Sequence, residues 1–537
     1  LKLDIELPLN KKGSDVIIDG HLNFINSEIY YPILDYELTN VNGVIDFTKD
    51  SIFADAIRAK IKGDSVLINA MTKNGLSGRG VVFNMDGVIT ADYLLQYYQW
   101  IPDKWFSGKS RWAIDIEVPY QPEDYLIRIK ADTEFENVAI QMSDKVNKPS
   151  SEKLEFATVI DVLDGTGVHV DVVANHVKDD VIVSEHDQKD LLVLSALRDE
   201  NNLWSFDIES EYIKGKGKFS ERLDKDTYVR LTLDRIDLYA LFVDSDSDKT
   251  HDIQPVELPP LDLSAKEVLW NEMTFSDVRL ATDWHEHGML IDRFSLKSPS
   301  IVFDARGTWI KSWRDSHETV LEGEIKGDNI GDALTGLGFE KSIDLSEYRA
   351  EFNATWSAQP YNISWANVKG KTVFEMKEGR IQDIEPGASG RLLGLFNVFD
   401  LAKRLAFDFN DVIRKGFSFD SIDGEFEFVN GSCSLKKFDI YASAADISMF
   451  GSIGLIDQDY GLLMRVKPHT DTLTFAGAAL LGGVAIGASV ALIQKVFDLG
   501  VIGHNVYSIT GSWDDPKVEK IVERNRDIDA EFNDDDF

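Results

Sequence analysis

The residues that could carry chemistry are few, and their spacing does not complete a metal site. His285, Glu286 and His287 place two imidazoles two residues apart. On a strand both would lie on one face, where they could bind a metal ion. No third ligand is suggested nearby, and the HExxH pattern is absent. An exposed polar turn is therefore the better interpretation of this tripeptide.

Two other segments imitate known motifs without completing them. Residues 244–248 read Asp-Ser-Asp-Ser-Asp, like the start of a calcium loop. Position six would be Lys249 instead of glycine, and position twelve would be Pro255 instead of glutamate, which favours a solvated linker. Residues 387–391 stop one residue short of a nucleophile elbow and are more typical of a loop before a helix. No phosphate-binding glycine loop occurs. We therefore predict no enzyme, no catalytic residues, no metal and no cofactor.

Composition narrows the class of protein. The 537 residues contain 56 Lys and Arg against 92 Asp and Glu, a formal charge of −36, which disfavours any nucleic-acid partner. The one cysteine, Cys433, allows neither an intramolecular disulfide nor a cysteine zinc site. Hydrophobic residues make up 43% of the chain, enough to build a folded protein.

Period-two alternation dominates the chain. Apolar residues alternate with polar ones in many short stretches, and Asn-Gly or Asp-Gly pairs separate them, as at Asn430-Gly431. Such strands have one apolar and one polar face, which favours antiparallel over parallel sheets. Few stretches predict helices: 91–100, 329–337, 391–405 and 472–497.

Residues 473–493 form an uncharged segment of 21 residues, rich in alanine and glycine. A helix of this length matches a bilayer core, but its small residues make insertion weak. Two interpretations stay open: a buried helix that caps the sheet, and a helix that contacts or enters a membrane. The residues expected to contact the membrane are Phe475, Leu480, Leu481, Val484, Ile486, Leu492 and Ile493.

The last 200 residues resemble a known family. The similarity lies in four segments: GRLLGLFN at 390–397, RLAFDFNDV at 404–412, KGFSFD at 415–420 and YSITGSWDDP at 507–516. These segments resemble the C-terminal region of the YhdP branch of the AsmA-like family, which is related to TamB. The first residue is Leu1 and the pattern starts within a strand, so we expect the C-terminal part of a longer protein.

The resemblance implies a fold and a role. Members are anchored in the bacterial inner membrane by an N-terminal helix and cross the periplasm, with the C-terminal end towards the outer membrane. They form an elongated, curled antiparallel β-sheet with an apolar groove. The implied function is transfer of phospholipids between the two membranes. Expected partners are therefore phospholipids, the outer membrane through the C-terminal helices, the inner membrane through an anchor outside this sequence, and other envelope proteins.

The resemblance and the alternation together place the groove. The residues expected to line it are Trp112, Ile114, Ile116, Val118, Val229, Leu231, Leu233, Phe426 and Phe428. The expected segments are a β-groove segment at 1–243 with a helix near 91–100, a linker or loop at 244–260, a second β-groove segment at 261–470 with helices near 329–337 and 391–405, apolar helices at 471–500, a final strand at 501–516 and an acidic tail at 517–537.

Two other functions remain open from the sequence. A non-enzymatic scaffold or chaperone for outer-membrane proteins, as TamB-like relatives suggest, would bind partners at edge strands instead of the groove. A glycan-binding or glycan-degrading β-protein would require a pair of carboxylates in an aromatic cleft.

Overall fold

A computed structural model describes residues 2–6, 16–31, 36–75, 78–90, 105–143, 145–176, 191–220, 228–242, 255–270, 273–311, 316–336, 341, 343–344, 346–381, 417–443, 445–469 and 505–521. The chain divides into two compact units. The first contains Leu1–Asp252 and Pro259–Val278, and the second contains Ile253–Leu258 and Arg279–Phe537.

The described part of the first unit is almost entirely β-structure. Its only helix there is α1, Leu238–Phe242. Its strands are β1 Lys2–Glu6, β2 Ile17–Tyr31, β3 Tyr36–Thr48, β4 Ile52–Ile61, β5 Asp64–Gly75, β6 Gly78–Thr90, β7 Phe106–Pro119, β8 Ile127–Thr133, β9 Val138–Gln141, β10 Asn147–Lys148, β11 Leu154–Val162, β12 Val168–His176, β13 Leu192–Arg198, β14 Leu203–Ser210, β15 Ile213–Ser220, β16 Val229–Asp237 and β17 Leu261–Trp270.

The second unit repeats this construction. Strand β18, Met273–His285, contains the boundary between the units. The following elements are β19 Gly288–Lys297, β20 Val302–Lys311, β21 His317–Gly327, α2 Ile330–Gly336, β22 Ile343–Asp344, β23 Tyr348–Trp356, β24 Val368–Ile381, β25 Phe417–Val429, β26 Ser432–Tyr441, β27 Ala445–Gly454, β28 Asp459–Pro468, β29 Asn505–Ser512 and β30 Pro516–Ile521. A 3₁₀ turn spans Pro255–Glu257.

Most strands pair antiparallel with the next strand of the chain. The turn between β25 and β26 shows why: Asn430 and Gly431 have φ angles of 49° and 79°, the left-handed conformation that a two-residue hairpin requires. The mainly β, antiparallel fold predicted from alternation is confirmed.

One described pair departs from that prediction. Strands β16 and β17 pair in parallel, with Leu231 opposite Leu263. Parallel neighbours need a crossover connection, and residues 238–260 supply it, including α1 and the 3₁₀ turn. The stretch 244–260, expected as a linker or loop, lies within this connection in the sequence.

A long-range hydrogen bond shows that the sheet of the first unit curls. Strands β7 and β16 lie seven inter-strand steps apart, through β8 and β11–β15, or about 34 Å in a flat sheet. Ser143, just beyond β9, nevertheless donates its hydroxyl to the carbonyl of Ala240 in α1. Ser143 and Ala240 lie only three positions beyond Ile140 and Asp237, a reach of about 20 Å. Because β9 pairs with β7, one step of about 5 Å is added, and the sum is still shorter than the flat distance. Only a curled sheet can bring them together.

The helix predictions have different outcomes. Helix α2 lies within the range expected at 329–337, and Asn329 caps it by accepting hydrogen bonds from the backbone N–H groups of Gly331 and Asp332. The stretches 91–100, 391–405 and 472–497 lie outside the described residues. Within the described residues, no helix is long and apolar enough to cross a membrane. Strand β30 occupies part of the stretch expected as a tail, because Lys517–Ile521 still alternates.

Several glycines lie opposite aromatic rings in the register. Gly424 pairs with Phe374, and a Cβ added at Gly424 would lie only 2.0 Å from Cε1 of that ring. We expect Gly424→Ala to lower the free energy of unfolding by about 1–3 kcal/mol, because the ring must move within a packed cluster. Calorimetric unfolding of the chain measures this change.

Gly461 provides the control for this substitution. It lies on β28 in the same unit, and its added Cβ would meet nothing closer than the Ser452 hydroxyl at 3.6 Å. We expect Gly461→Ala to change stability by less than about 1 kcal/mol. Equal losses for the two variants would contradict a role of ring contact at Gly424.

Candidate functional site

An unbroken apolar row crosses the first unit from β2 to β17. Residues directly opposite each other in a ladder share one face of the sheet, so the register traces that face from strand to strand. Each of the fourteen positions is aliphatic, phenylalanine or glycine. The row consists of Leu22, Ile45, Ala54, Ala70, Phe83, Ile116, Ile129, Ile160, Val170, Ala196, Phe206, Gly217, Leu231 and Leu263. We name it the first apolar row; its thirteen steps correspond to about 60 Å along the sheet.

The second unit carries an equivalent row from β19 to β30. Ten of its eleven positions are apolar or glycine, and the exception is Thr372. This second apolar row consists of Phe294, Ala305, Gly323, Phe352, Thr372, Phe426, Leu435, Gly451, Leu462, Ile509 and Val518.

The two rows differ in exposure. In the first row, Ile116, Ile129 and Phe206 are only half-buried. In the second row, Leu435 and Ile509 are 1% and 0% exposed. The apolar face of the first unit is therefore partly accessible along β7–β14, whereas that of β25–β29 is shielded from solvent.

Glycines keep aromatic rings flat against the apolar face. Phe206 lies opposite Gly217 on β15, and a Cβ at Gly217 would be 2.2 Å from the tip of the ring. Phe47 covers Gly20 in the same way, again 2.2 Å from the added Cβ. Because the opposite residue lacks a side chain, each ring can lie along the sheet instead of projecting from it.

The rings of Phe135 and Phe156 cover Trp112. The chain leaves β8, and Phe135 folds back so that its ring meets Trp112 edge-on at 5.8 Å. Phe156 of β11 completes the cluster, 5.1 Å from Phe135. Lys148 holds the segment after β8 in place, because its buried ammonium donates hydrogen bonds to the carbonyls of Phe135 and Val138 at 2.9 and 2.6 Å. Burial lowers the pKa of Lys148, because the charged form is disfavoured away from water. The hydrogen bonds to the two carbonyls offset part of the free-energy cost of burying this charge.

The opposite face is polar and carries ion pairs between neighbouring strands. Lys216 meets Asp207 at 2.8 Å, and this hydrogen bond raises the pKa of Lys216. Arg230 meets Asp262 at 3.0 Å across the parallel pair. These side chains are more than half exposed, so each pair contributes little to stability.

One ion pair of the polar face is largely buried, with the Arg128 and Asp161 side chains 23% and 12% exposed. Arg128 donates two hydrogen bonds to Asp161 at 2.6 and 2.7 Å and lies 4.1 Å over the ring of Tyr125. The hydrogen bonds to Asp161 raise the pKa of Arg128. The ring of Tyr125 in turn donates its hydroxyl to Glu117 at 3.0 Å. This cluster ties β7, β8 and β11 together behind the apolar row.

The expected groove residues fall on the apolar faces of the two units. Ile116 and Leu231 belong to the first apolar row, and Phe426 belongs to the second. Phe428, Ile114, Val118, Val229 and Leu233 lie on the same faces by register, as does Trp112. Trp112, Leu233 and Phe426 are buried, and the other six are half-buried. Their role in binding stays a prediction.

Other expected positions have simpler outcomes. The seven expected membrane-contact residues between 475 and 493 lie outside the described residues. His285, Glu286 and His287 are exposed at the end of β18 and in the turn that follows, as expected. Sequence analysis did not single out Phe83, Phe206 or Gly217, although the same alternation runs through their strands. The glycines were missed because their importance depends on the residue opposite.

Comparison with known proteins supplies the family. Residues 1–178 and 176–518 both match the family model described as YhdP protein. The chain belongs to the YhdP family. No solved structure matches the chain.

A curated relative of this YhdP-family chain is the intermembrane phospholipid transporter YhdP of Escherichia coli (strain K12). It is 29% identical over 226 residues, which cover 41% of this chain and 18% of the relative. The match therefore spans less than a fifth of that protein.

The buried ion pair gives a test of how the polar face supports the row. We expect Asp161→Asn to lower the free energy of unfolding by about 1–3 kcal/mol, because the partly buried Arg128 charge loses its charged hydrogen-bond partner. Asp86→Asn, which removes the exposed partner of Arg111, should cost less than about 1 kcal/mol. Thermal unfolding of both variants measures these two changes in stability. Equal losses of stability would be inconsistent with the Arg128–Asp161 pair supporting the strands.

Proposed function

We propose that this chain is part of a lipid conduit, in which phospholipid acyl chains move along the apolar face of the sheet. The observation that carries the proposal is the first apolar row, which is uninterrupted by a polar side chain over fourteen strands. The name of the Escherichia coli relative, a phospholipid transporter between membranes, supports the same substrate class.

The energetics favour a continuous apolar surface over a single binding pocket. A two-chain lipid exposes about 30 methylenes, so its transfer through water costs roughly 24 kcal/mol. A surface that is apolar at every step offsets much of this cost along the whole path. Because adjacent positions in the row are chemically alike, no single position holds the lipid much more tightly than the next. Transport of this kind needs no covalent step, so we propose no catalytic residue.

The half-buried positions of the first unit are the best candidates for lipid contact. Ile116 and Leu231 are half-buried members of one row, so we propose that they contact acyl chains. Trp112 packs against Phe135, and Phe426 stacks on Phe374 at 5.2 Å. We assign these two to the wall that supports the surface.

We also propose where the conduit works. The full-length protein would be anchored in the inner membrane, cross the periplasm and direct its C-terminal end towards the outer membrane. Residues 471–500 would make contact there. These assignments rest on family resemblance and on the intermembrane role named for the relative.

Photo-crosslinking tests lipid contact directly. We expect a benzophenone amino acid at Ile116 or Leu231 to capture phospholipid in cells, because both positions lie on the first apolar row. The same amino acid at Asp115 or Arg230, the preceding residues on the opposite face, should capture much less. Mass spectrometry of the adducts identifies the lipid. Equal capture on both faces would rule out transport along the row.

A charge placed in the row tests transport. Ala196 lies between Val170 and Phe206, so Ala196→Asp in the full-length protein should block acyl-chain passage and lower lipid transfer at least about tenfold. Leu197→Asp is the matched control, because Leu197 is the next residue of β13 and lies exposed on the polar face. Transfer measured with labelled phospholipid should stay near normal in that control. Normal transfer in both variants would contradict the proposed path.

A further inference from the structure

The loop between β23 and β24 is unusually free of charge. Residues 352–368 contain no Asp, Glu, Lys or Arg, whereas 28% of the whole chain is charged. We name residues 357–367 the aromatic loop. Its sequence, SAQPYNISWAN, combines small polar residues with three large apolar side chains.

Those three side chains are exposed at alternate positions. Tyr361 and Ile363 are each 55% exposed, and Trp365 is 40% exposed. Large apolar side chains concentrated in this way mark a surface that contacts an apolar partner.

Hydrogen bonds hold the aromatic loop in one conformation. The side chain of Asn367 accepts from the backbone N–H of Ser364 at 2.9 Å and donates to the carbonyl of Asn362 at 3.2 Å. Trp356 donates its indole N–H to the carbonyl of Gln359 at 2.8 Å. The loop is therefore preorganised, and its apolar side chains are exposed in a defined conformation.

The aromatic loop adjoins the apolar face of the second unit at two places. The ring of Trp365 stacks on Phe428 of β25 at 6.0 Å. On the other side, the ring of Tyr361 meets Trp309 of β20 edge-on at 6.4 Å. The register places Phe428 and Trp309 on the same face as the second apolar row. Ile363 lies between the two aromatic residues in the sequence and contributes the exposed aliphatic side chain.

We propose that the aromatic loop inserts into the interface of a lipid bilayer, with Ile363 entering the acyl region and Tyr361 and Trp365 lying at the headgroup level. Tyrosine and tryptophan favour this level because their rings are apolar and their O–H and N–H groups remain near water. An uncharged loop suits a bilayer better than a protein partner recognised through ion pairs. It also brings a membrane into contact with the side chains that adjoin the apolar face. The inference deepens the proposed function and rests on it.

Site-specific fluorescence tests this insertion in the whole chain. Cys433 is fully buried, and burial raises the pKa of its thiol to about 12, so a thiol reagent at neutral pH should label only an introduced cysteine. We would label Ile363→Cys with a polarity-sensitive nitrobenzoxadiazole probe and add vesicles of equimolar phosphatidylethanolamine and phosphatidylcholine. The emission should shift to the blue and be quenched by lipids with a spin label on the acyl chain.

Val373→Cys is the matched control. Val373 is 50% exposed on β24, in the same unit, but lies between Glu351 and Glu425 on the polar face. Its probe should change little on addition of vesicles. A blue shift at both positions, or at neither, would overturn the proposal, and it would do so even if another segment binds the vesicles.

Substitution provides a second measurement. Ile363→Lys should weaken vesicle binding about tenfold and Val373→Lys should not. Both variants should stay folded, because Ile363 is exposed and the ammonium introduced at Val373 would lie between Glu351 and Glu425. Equal binding by the two variants would overturn the inference.

The outcomes also separate this inference from the proposed function. Lipid capture at Ile116 without insertion at Ile363 would remove only the bilayer contact. Insertion at Ile363 without lipid capture at Ile116 would leave a membrane-binding loop and remove the conduit.

Discussion

The structure depends on cross-strand register. In a strand the side chains alternate between faces, so a slip of one residue would bring Asp115 in place of Ile116 onto the apolar face. Each row is continuous only because every strand pair keeps the register of the preceding one. The same constraint aligns Lys216 with Asp207 on the polar face, so one set of backbone hydrogen bonds builds both surfaces. Tight turns such as Asn430-Gly431 set the register locally.

Register also explains why glycine recurs in the rows. A row made only of large side chains would have no space for a ring to lie along the sheet. Gly217 opposite Phe206 resolves this conflict, since the ring covers the glycine. The row therefore stays apolar at every strand, and the ring occupies the space that a second large side chain would take. Where rings instead stack on one another, as Phe374 does on Phe426, the inner ring is buried: Phe426 is 3% exposed.

Local pattern predicted much of the fold, and long-range contacts account for what it missed. Alternation placed Ile116 and Leu231 on one face, because period two is a property of the strand itself. It could not reveal that Phe135 covers Trp112, since that contact depends on how the chain leaves β8. The parallel pair of β16 and β17 was missed for a related reason: a crossover through residues 238–260 has no period of its own. The aromatic loop has an evident composition, but its contact with Phe428 joins residues that are distant in sequence.

The proposed conduit gives the charge of −36 a role. Each ion pair on the polar face neutralises one carboxylate, but the 92 acidic residues of the chain outnumber the 56 basic ones. A surface with surplus negative charge repels the phosphates of anionic phospholipids, so headgroups gain little by lying on it. In the proposed conduit, attraction is then confined to the acyl chains and the apolar rows. A lipid held without headgroup ion pairs has no strong electrostatic contact to break at each step, because the hydrophobic effect is non-directional and changes little between equivalent positions. In the proposed conduit, acidic composition and apolar rows therefore act together: the rows hold the acyl chains, and the negative charge of the polar face keeps headgroups off that face.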